Sequence, residues 1–256
     1  MNNNLKLKLR ANELTVGSWI TLSSAAIAEI MCNAGFDWLV VDLEHSTISI
    51  ESAGELIRTI ELSKTNSLVR LTSNNASQIK RILDAGAHGI VVPMVNSAKE
   101  AALAVSATRY GPKGSRGVGL ARAQQYGAAF NEYLDWQSNN VVVIVQIEHI
   151  DAIGNLKEII ATDGVDGVII GPYDLSCSMG IPGEFDRPNF KKTMAKILKT
   201  CQNSNFPCGI HIVEPNLNEF CTVVNDGYKF VAYSVDIRML DFMSREVVEK
   251  IQEIKR

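Results

Sequence analysis

The sequence predicts a single (β/α)8 barrel, the α/β fold also called a TIM barrel, that spans residues 1–256 as one domain. Its 256 residues match the usual length of such a barrel, about 250 residues. Eight short apolar runs alternate with stretches of helical period, which indicates a parallel sheet whose strands are connected by helices. A doubly wound open sheet is the alternative, but eight units of about 32 residues each favour the closed barrel.

The predicted strands are apolar runs of four to seven residues, a length that fits buried strands of a parallel sheet. In chain order they are Thr15–Ile20, Asp37–Asp42, Leu68–Leu71, His88–Pro93, Val141–Ile147, Val168–Gly171, Cys208–Val213 and Phe230–Val235.

Apolar side chains at helical spacing lie between several of these runs and predict amphipathic helices. The stripes consist of Ile27, Ile30, Met31 and Ala34; Ala53, Leu56, Ile57 and Ile60; Ile79, Ile82, Leu83 and Gly86; Ala98, Ala101, Ala102 and Val105; and Val247, Ile251 and Ile254. A further helix is predicted near residues 155–160. Residues 236–238 either line the site or start the last helix, and we favour the helix start.

Residues 109–140 interrupt the alternation. They begin with a glycine-rich loop, YGPKGSRGVG at residues 110–119. This loop does not connect a strand directly to a helix, as a dinucleotide-binding fingerprint does. Long loops in compact domains are usually functional, so we interpret this one as a mobile active-site or interface loop.

Composition excludes several classes of protein. Apolar residues make up 46% of the chain, charged residues 21%, and the net charge of −3 provides no basic patch for nucleic acid or an anionic membrane. No apolar run reaches the ~20 residues of a membrane span, and Met1–Arg10 is too polar for a signal peptide. Five scattered cysteines without a Cys-x-x-Cys pair indicate neither a disulfide framework nor a zinc site. We therefore expect a cytoplasmic protein without nucleic-acid or membrane partners.

Functional side chains are expected at the carboxyl ends of the strands, where the active sites of these barrels lie. His45 follows the second strand, beside Asp42 and Glu44, and is a catalytic candidate with a structural role as the alternative. Arg70 ends the third strand. It either forms a structural ion pair or binds a substrate carboxylate or enolate with its guanidinium group.

Two acidic residues at neighbouring strand ends predict a metal site. Glu148 follows the fifth strand and Asp174 follows the sixth, so both face the same mouth of the barrel. Adjacent carboxylates repel one another, and a bound dication removes that repulsion. All-oxygen ligands favour Mg²⁺ or Mn²⁺. The alternative is that either acid only caps a helix. No strand end carries a lysine for a Schiff base, so enolate chemistry here would depend on a metal.

Eight short runs of the sequence form a recognisable set. They are AGFDW at 34–38, DLEH at 42–45, LDAGA at 83–87, VPMV at 92–95, RGVG at 116–119, VQIE at 145–148, GVDG at 164–167 and GPYDLS at 171–176. In these runs the chain resembles the HpcH/HpaI family of class II pyruvate aldolases. The runs occur in order over nearly the whole chain, and together they are specific to the family. The resemblance implies an aldolase that cleaves a 4-hydroxy-2-oxo acid reversibly to pyruvate and an aldehyde. It also implies a divalent cation, Mg²⁺ first and Mn²⁺ or Co²⁺ as alternatives.

The resemblance also implies roles for particular residues. Glu148 and Asp174 correspond to the metal ligands, and Arg70 to the residue that binds pyruvate and stabilises its enolate. His45 corresponds to a base that acts through water, with Asp84 as its supporting carboxylate. The implied substrate-binding residues are Arg70, Gly171, Pro172, Tyr173 and, near the aldehyde, Arg122.

The family is usually hexameric, with the C-terminal helix packed on a neighbouring subunit, and we expect the same exchange here. Tyr173 departs from the family pattern, in which a small residue precedes the metal-binding aspartate. Residues 46–47, 149 and 211–214 also differ. These positions flank the pocket, so the resemblance does not indicate the natural aldehyde.

Three other functions are compatible with such a barrel. They are a metal-dependent 2-oxoacid decarboxylase, a lyase of CoA esters, and a non-catalytic binding barrel. No sequence feature indicates a CoA site. The combination of His45, Arg70, Glu148 and Asp174 argues against the non-catalytic alternative.

Overall fold

The computed structural model describes residues 4–255, so residues 1–3 and 256 of the predicted domain lie outside the described part. The strands are β1 (Thr15–Ile20), β2 (Trp38–Asp42), β3 (Asn66–Arg70), β4 (Gly89–Val92), β5 (Val142–Ile147), β6 (Gly167–Ile170), β7 (Cys208–Ile212) and β8 (Phe230–Val235). Each strand pairs with the next along the chain, and β8 pairs with β1, so the sheet closes into a parallel barrel. The predicted (β/α)8 fold is confirmed, with every predicted run forming a strand.

The helices are α1 (Asn4–Arg10), α2 (Ala25–Asn33), α3 (Ile50–Leu62), α4 (Ala76–Asp84), α5 (Ala98–Thr108), α6 (Phe130–Asn140), α7 (Ile150–Ile160), α8 (Pro172–Ser178), α9 (Pro188–Asn203), α10 (Leu217–Asp226) and α11 (Asp236–Ile254). The stripe predicted for α3 is buried as expected. Three assignments are corrected, because Ile30 on α2, Ala34 directly after it and Ala102 on α5 are exposed. Met31, Ala101 and Val105 are buried, so the buried faces of these helices overlap the predicted stripes only in part.

Helix α1 packs against one end of the barrel interior. Leu5 and Leu9 of this helix are buried in the same apolar cluster as Trp38 and Phe230, whose rings stack 4.0 Å apart. Beside them, the Lys6 ammonium donates to a carboxylate oxygen of Asp166 at 2.8 Å. A separate and larger apolar layer lies between the outer face of the strands and the surrounding helices. The amino-terminal helix therefore closes the end of the barrel opposite the strand carboxyl ends.

The segment 109–140 is less irregular than its sequence indicates. A 3-10 helix covers Arg122–Gly127, and α6 covers Phe130–Asn140 at the end of the segment. Arg116 has a fully buried side chain that donates to Asp84 at 2.7 Å and lies over the rings of Tyr110 and Tyr133. These contacts fasten the glycine-rich loop to the end of α4. Within residues 4–255, no helix has the length and apolar character of a membrane span.

Candidate active site

A cavity of about 320 Å³ opens at the carboxyl ends of the strands. Its wall is formed by Trp19, His45, Arg70, Gln146, Ile169, Ile170, Gly171, Pro172, Tyr173, Asp174, His211 and Val213. The structure thus brings together His45, Arg70, Asp174 and residues 171–173, all of which were predicted as site residues. The volume is at the small end of the range for ligand pockets, about 300–1,000 Å³, which suits a small substrate.

Four side chains form a layer across the barrel mouth. Trp19, Gln146 and His211 are the penultimate residues of β1, β5 and β7, and Arg70 is the last residue of β3. All four line the cavity and all come from odd-numbered strands. Barrels of this kind fill their interior with layers of four side chains from alternate strands. The uppermost layer here is polar and aromatic, so it forms the floor of a site.

Arg70 is held in this layer by a two-point contact with Asp42. Its Nε and one terminal nitrogen donate to the two carboxylate oxygens of Asp42 at 2.9 and 2.7 Å. Its other terminal nitrogen lies 3.3 Å from Glu44, and its guanidinium carbon lies 4.4 Å from the centre of the Trp19 ring. Burial opposes ionisation of Asp42, but the hydrogen bonds and charge of Arg70 prevail and lower its pKa. The structural ion pair is therefore present, and binding of a substrate by Arg70, which also lines the cavity, stays a prediction.

His45 lies at the rim of the cavity, in the loop that follows β2. Its side chain is 64% exposed, and its Nε2 lies 3.9 Å from Glu44 Oε2. Burial raises the pKa of Glu44; the charge of Arg70 opposes this, and those of Asp42 and Asp174 add to it. The histidine is thus open to solvent and substrate beside a concentration of negative charge.

Glu148 is buried behind the cavity wall. One carboxylate oxygen accepts from the backbone N–H of Met94 at 2.6 Å, and the other accepts from the side-chain amide of Gln146. Burial raises the pKa of Glu148 to about 7; the Met94 hydrogen bond opposes the rise, and the charges of Glu44 and Asp174 add to it. Neither predicted ligand is a helix cap, because His149 caps α7 and Gly171 precedes α8.

The donor set fits a divalent cation. Glu44, Glu148 and Asp174 influence one another electrostatically, while the nearby Arg70 is already engaged with Asp42. A Cβ atom at Gly171 would come within 2.7 Å of Glu148 Oε2, so only glycine leaves that side of the carboxylate open. Oxygen ligands of this type suit Mg²⁺ and Mn²⁺. Among residues 4–255 no three His, Cys, Asp or Glu side chains converge on one point, so water or substrate would complete the coordination.

Three predicted site residues do not line this cavity: Glu148 lies behind its wall, and Asp84 and Arg122 lie elsewhere. Asp84 ends α4, which runs back to the amino end of the barrel, and it pairs with Arg116. Arg122 forms an ion pair with Glu61 and donates to the carbonyl oxygen of Ala85 at 3.1 Å. Both line a separate surface groove, and no residue of segment 109–140 lines the cavity.

Sequence reasoning did not assign roles to Trp19, Gln146, His211 and Val213, although all four line the cavity. A positional signal could have found the first three, because each is a penultimate strand residue. Sequence reasoning also missed Asp42 as the partner of Arg70. Residues directly opposite in register, as Asp42 and Arg70 are, cannot be paired before the strand neighbours are known.

Comparison of the sequence with known protein families gives a match. The family model described as HpcH/HpaI aldolase/citrate lyase matches residues 15–241. The chain belongs to this family. Its members named aldolases are carbon–carbon lyases, and this chain is an enzyme of that lyase type.

Two curated relatives and one solved structure show how far the similarity extends. The hydroxypyruvate/pyruvate aldolase of Cupriavidus necator is 35% identical over 254 residues, which cover 98% of this chain and 93% of the relative. The 4-hydroxy-2-oxo-heptane-1,7-dioate aldolase of Escherichia coli is 38% identical over 242 residues, 94% of this chain and 91% of the relative. The crystal structure of a family protein from Burkholderia cenocepacia J2315 superposes with a TM-score of 0.93 at 30% identity, covering 98% of this chain and 100% of that one.

Proposed function

We propose that this HpcH/HpaI family member uses a divalent cation to cleave a 4-hydroxy-2-oxo acid reversibly into pyruvate and an aldehyde. The observation that carries the proposal is a small cavity lined by an arginine in a fixed orientation and an exposed histidine, with carboxylate oxygens at its wall. Arg70, His45 and Asp174 line this cavity, and Glu148 lies directly behind Gly171. Aldolase names among relatives that match almost the whole chain support the same reaction class.

Glu148 and Asp174 would hold the cation, which when bound acts as a Lewis acid toward the keto group of the substrate. Mg²⁺ is the first choice, with Mn²⁺ and Co²⁺ as alternatives. The citrate lyase beta subunit of M. tuberculosis is complexed with oxaloacetate and magnesium; it matches at a TM-score of 0.59 with 15% identity, over 90% of this chain and 95% of that one. At that identity the likeness concerns the fold, so the metal proposal depends on this chain's own carboxylates.

The protein side chains supply charge stabilisation and proton transfer. Arg70 donates hydrogen bonds to the oxygen that becomes negative as the enolate of pyruvate forms, and Asp42 keeps its guanidinium group in place. In the cleavage direction the C4 hydroxyl gives its proton to His45 through a water molecule, the C3–C4 bond breaks and the aldehyde leaves. His45 then returns the proton through water to C3 of the enolate, which gives pyruvate. Gly171, Pro172 and Tyr173 form the wall against which the substrate packs.

Asp84 and Arg122 do not line the cavity of their own chain. In their own chain Asp84 is engaged by Arg116 and Arg122 by Glu61, away from the cavity. We therefore propose that their implied roles, toward His45 and the aldehyde, are exercised on the cavity of a second copy. This proposal agrees with the expected hexamer and shares its test, given below for the last helix.

Exchange of the pyruvate methyl protons with deuterated water tests the function without knowledge of the natural aldehyde. Wild-type protein with Mg²⁺ should show exchange by NMR, a chelator should abolish it, and Mg²⁺, Mn²⁺ or Co²⁺ should restore it. His45→Ala should slow exchange by roughly 10²–10⁴-fold, the usual contribution of a general base. Glu51→Ala, an exposed acid at the start of α3, is the control and should leave the rate unchanged. Absence of exchange with every metal would refute the proposed function.

A further inference from the structure

His211 lies on the cavity wall in a row with two other residues. The centres of the His211 and Trp19 rings are 5.2 Å apart, and the guanidinium carbon of Arg70 lies 4.4 Å from the centre of the same Trp19 ring. All three side chains line the cavity. The imidazole is therefore close to the reacting groups, on the side of the cavity that the proposed chemistry leaves unused.

The hydrogen bond of His211 determines which ring nitrogen carries the proton. Its Nε2 lies 3.0 Å from the backbone carbonyl oxygen of Ser234, and a carbonyl oxygen can only accept, so Nε2 is the protonated nitrogen. Burial lowers the pKa of His211 to about 4, so the ring is neutral near pH 7 and Nδ1 has a free lone pair. No residue between 4 and 255 forms a hydrogen bond with Nδ1.

The backbone that orients this imidazole is itself fixed. Ser234 has a left-handed backbone conformation with φ of 55°, and its hydroxyl donates to the carbonyl oxygen of Val213 at 3.0 Å. The Ser18 hydroxyl donates to the same Ser234 carbonyl at 3.2 Å. His211 is thus a positioned hydrogen-bond acceptor rather than a side chain free to rotate.

We propose that His211 is a specificity-determining residue whose Nδ1 accepts a hydrogen bond from a hydroxyl group of the substrate. The inference rests on the proposed aldolase function and names the substrate class, compounds that carry a hydroxyl group over those that lack it. Among the residues that line the cavity with His211, Trp19, Val213 and Ile170 offer no side-chain acceptor, Arg70 only donates, and the side-chain oxygen of Gln146 is buried. A substrate hydroxyl that enters this side of the cavity therefore finds its acceptor in His211.

The hydroxyl could belong to the aldehyde or to the 2-oxo acid, and two pairs of probes distinguish these sources. The first pair is glycolaldehyde against acetaldehyde, each with pyruvate. The second pair is hydroxypyruvate against pyruvate, each with propanal. For each pair the measured quantity is the ratio of kcat/KM for the hydroxylated probe to that for its partner. Intrinsic reactivity differences between the probes cancel when this ratio is compared between wild type and variant.

His211→Phe keeps an aromatic ring against Trp19 but removes the acceptor, and it should lower the ratio for one of the two pairs about five- to ten-fold. His211→Asn is the matched variant, because its amide oxygen can occupy the place of Nδ1, and it should retain the ratio within about three-fold. If thermal unfolding shows that His211→Phe does not fold, His211→Leu replaces it in the comparison, because leucine also lacks an acceptor.

Ratios that stay at the wild-type value for both pairs in the variants without an acceptor would overturn the inference. That outcome is distinguishable from failure of the proposed function. If wild-type protein exchanges the methyl protons of pyruvate while both ratios are unchanged, only the role of His211 is refuted. If wild-type protein shows no exchange, the aldolase proposal fails and the inference fails with it.

Discussion

Arg70 combines a structural contact with a surface that remains free for substrate. Its two-point contact with Asp42 fixes the plane of the guanidinium group, and the Trp19 ring supports one side of it. An ammonium group cannot reproduce such a forked contact. The consequence is that position 70 should tolerate no other cation, although charge would be conserved.

Arg70→Lys should reduce pyruvate methyl exchange by about 10²–10³-fold, the usual cost of removing one positioned donor from a developing oxyanion. Asp42→Asn should reduce it as well, because the carboxylate that orients Arg70 is lost. Arg58→Lys is the control, since Arg58 is an exposed partner of Glu55 on α3. Exchange by Arg70→Lys at the wild-type rate would remove Arg70 from the mechanism.

The raised pKa of Glu148 predicts that the affinity for the metal depends on pH. Its pKa, which burial raises to about 7, leaves the carboxyl protonated below neutrality, and a proton competes with the cation for the same oxygens. Affinity for Mg²⁺ or Mn²⁺ should therefore increase as the pH rises, by about ten-fold from pH 6 to pH 8. Isothermal titration at several pH values measures this. Glu148→Gln should abolish tight binding, whereas Glu158→Gln, an exposed position on α7, should not affect it.

At the scale of single elements, α1 depends on a buried ion pair. Lys6 and Asp166 have side-chain exposures of 6% and 5%, and Asp166 also accepts from the backbone of Val143 at 2.9 Å. Burial lowers the pKa of Lys6 and raises that of Asp166, so each ion depends on the other to remain charged. The helix is therefore held at the closed end of the barrel by apolar packing and by a pair that is costly to break.

Lys6→Ala should lower the free energy of unfolding by about 3–5 kcal/mol, because Asp166 would be left buried without a counter-ion. Lys8→Ala on the same helix is the matched control. Lys8 pairs with Asp37 at 2.7 Å, but the pair is partly exposed, so its removal should cost only about 0–1 kcal/mol. Chemical denaturation of both variants gives the comparison. Equal effects of the two substitutions would show that the Lys6–Asp166 pair contributes nothing specific.

At the scale of the whole molecule, α11 exposes an apolar face among residues 4–255. Leu240 on this helix is 60% exposed, and seven further apolar side chains are exposed with it. They are Ile237, Phe242, Met243, Val247, Val248, Ile251 and Ile254. Exposure of so many apolar side chains on one helix is typical of an interface. The predicted stripe of Val247, Ile251 and Ile254 is thus present, and its burial on a neighbouring subunit stays a prediction.

Truncation before Asp236 should yield smaller assemblies or insoluble protein, because the helix would no longer cover its neighbour. Substitution of Leu240, Val247 and Ile251 by serine should likewise shift the assembly toward monomer. Replacement of the charged residues Glu249 and Lys250 on the same helix serves as the control. Analytical ultracentrifugation at micromolar concentration measures the mass, and a monomeric wild-type protein would contradict both the hexamer and the shared role of Asp84.

The sequence by itself determined the fold and the local part of the site. Eight apolar runs predicted eight strands, and the residues after them, from His45 to Asp174, lie at one mouth. The physical reason is that strand formation and the alternation with helices depend on neighbouring residues. Once a parallel barrel closes, the carboxyl end of each strand necessarily faces the same opening. Placement of a side chain at the site then follows from its position in the strand.

The tertiary structure decided the contacts between residues distant in sequence. It paired Arg70 with Asp42, oriented His211 on Ser234, and engaged Asp84 with Arg116 rather than with the cavity. The physical reason is that hydrogen-bond geometry and burial depend on strand register and on how helices pack around the barrel, and no local pattern encodes either. The pKa of Glu148 has the same origin, because it results from the burial and the neighbouring charges that only the closed barrel assembles.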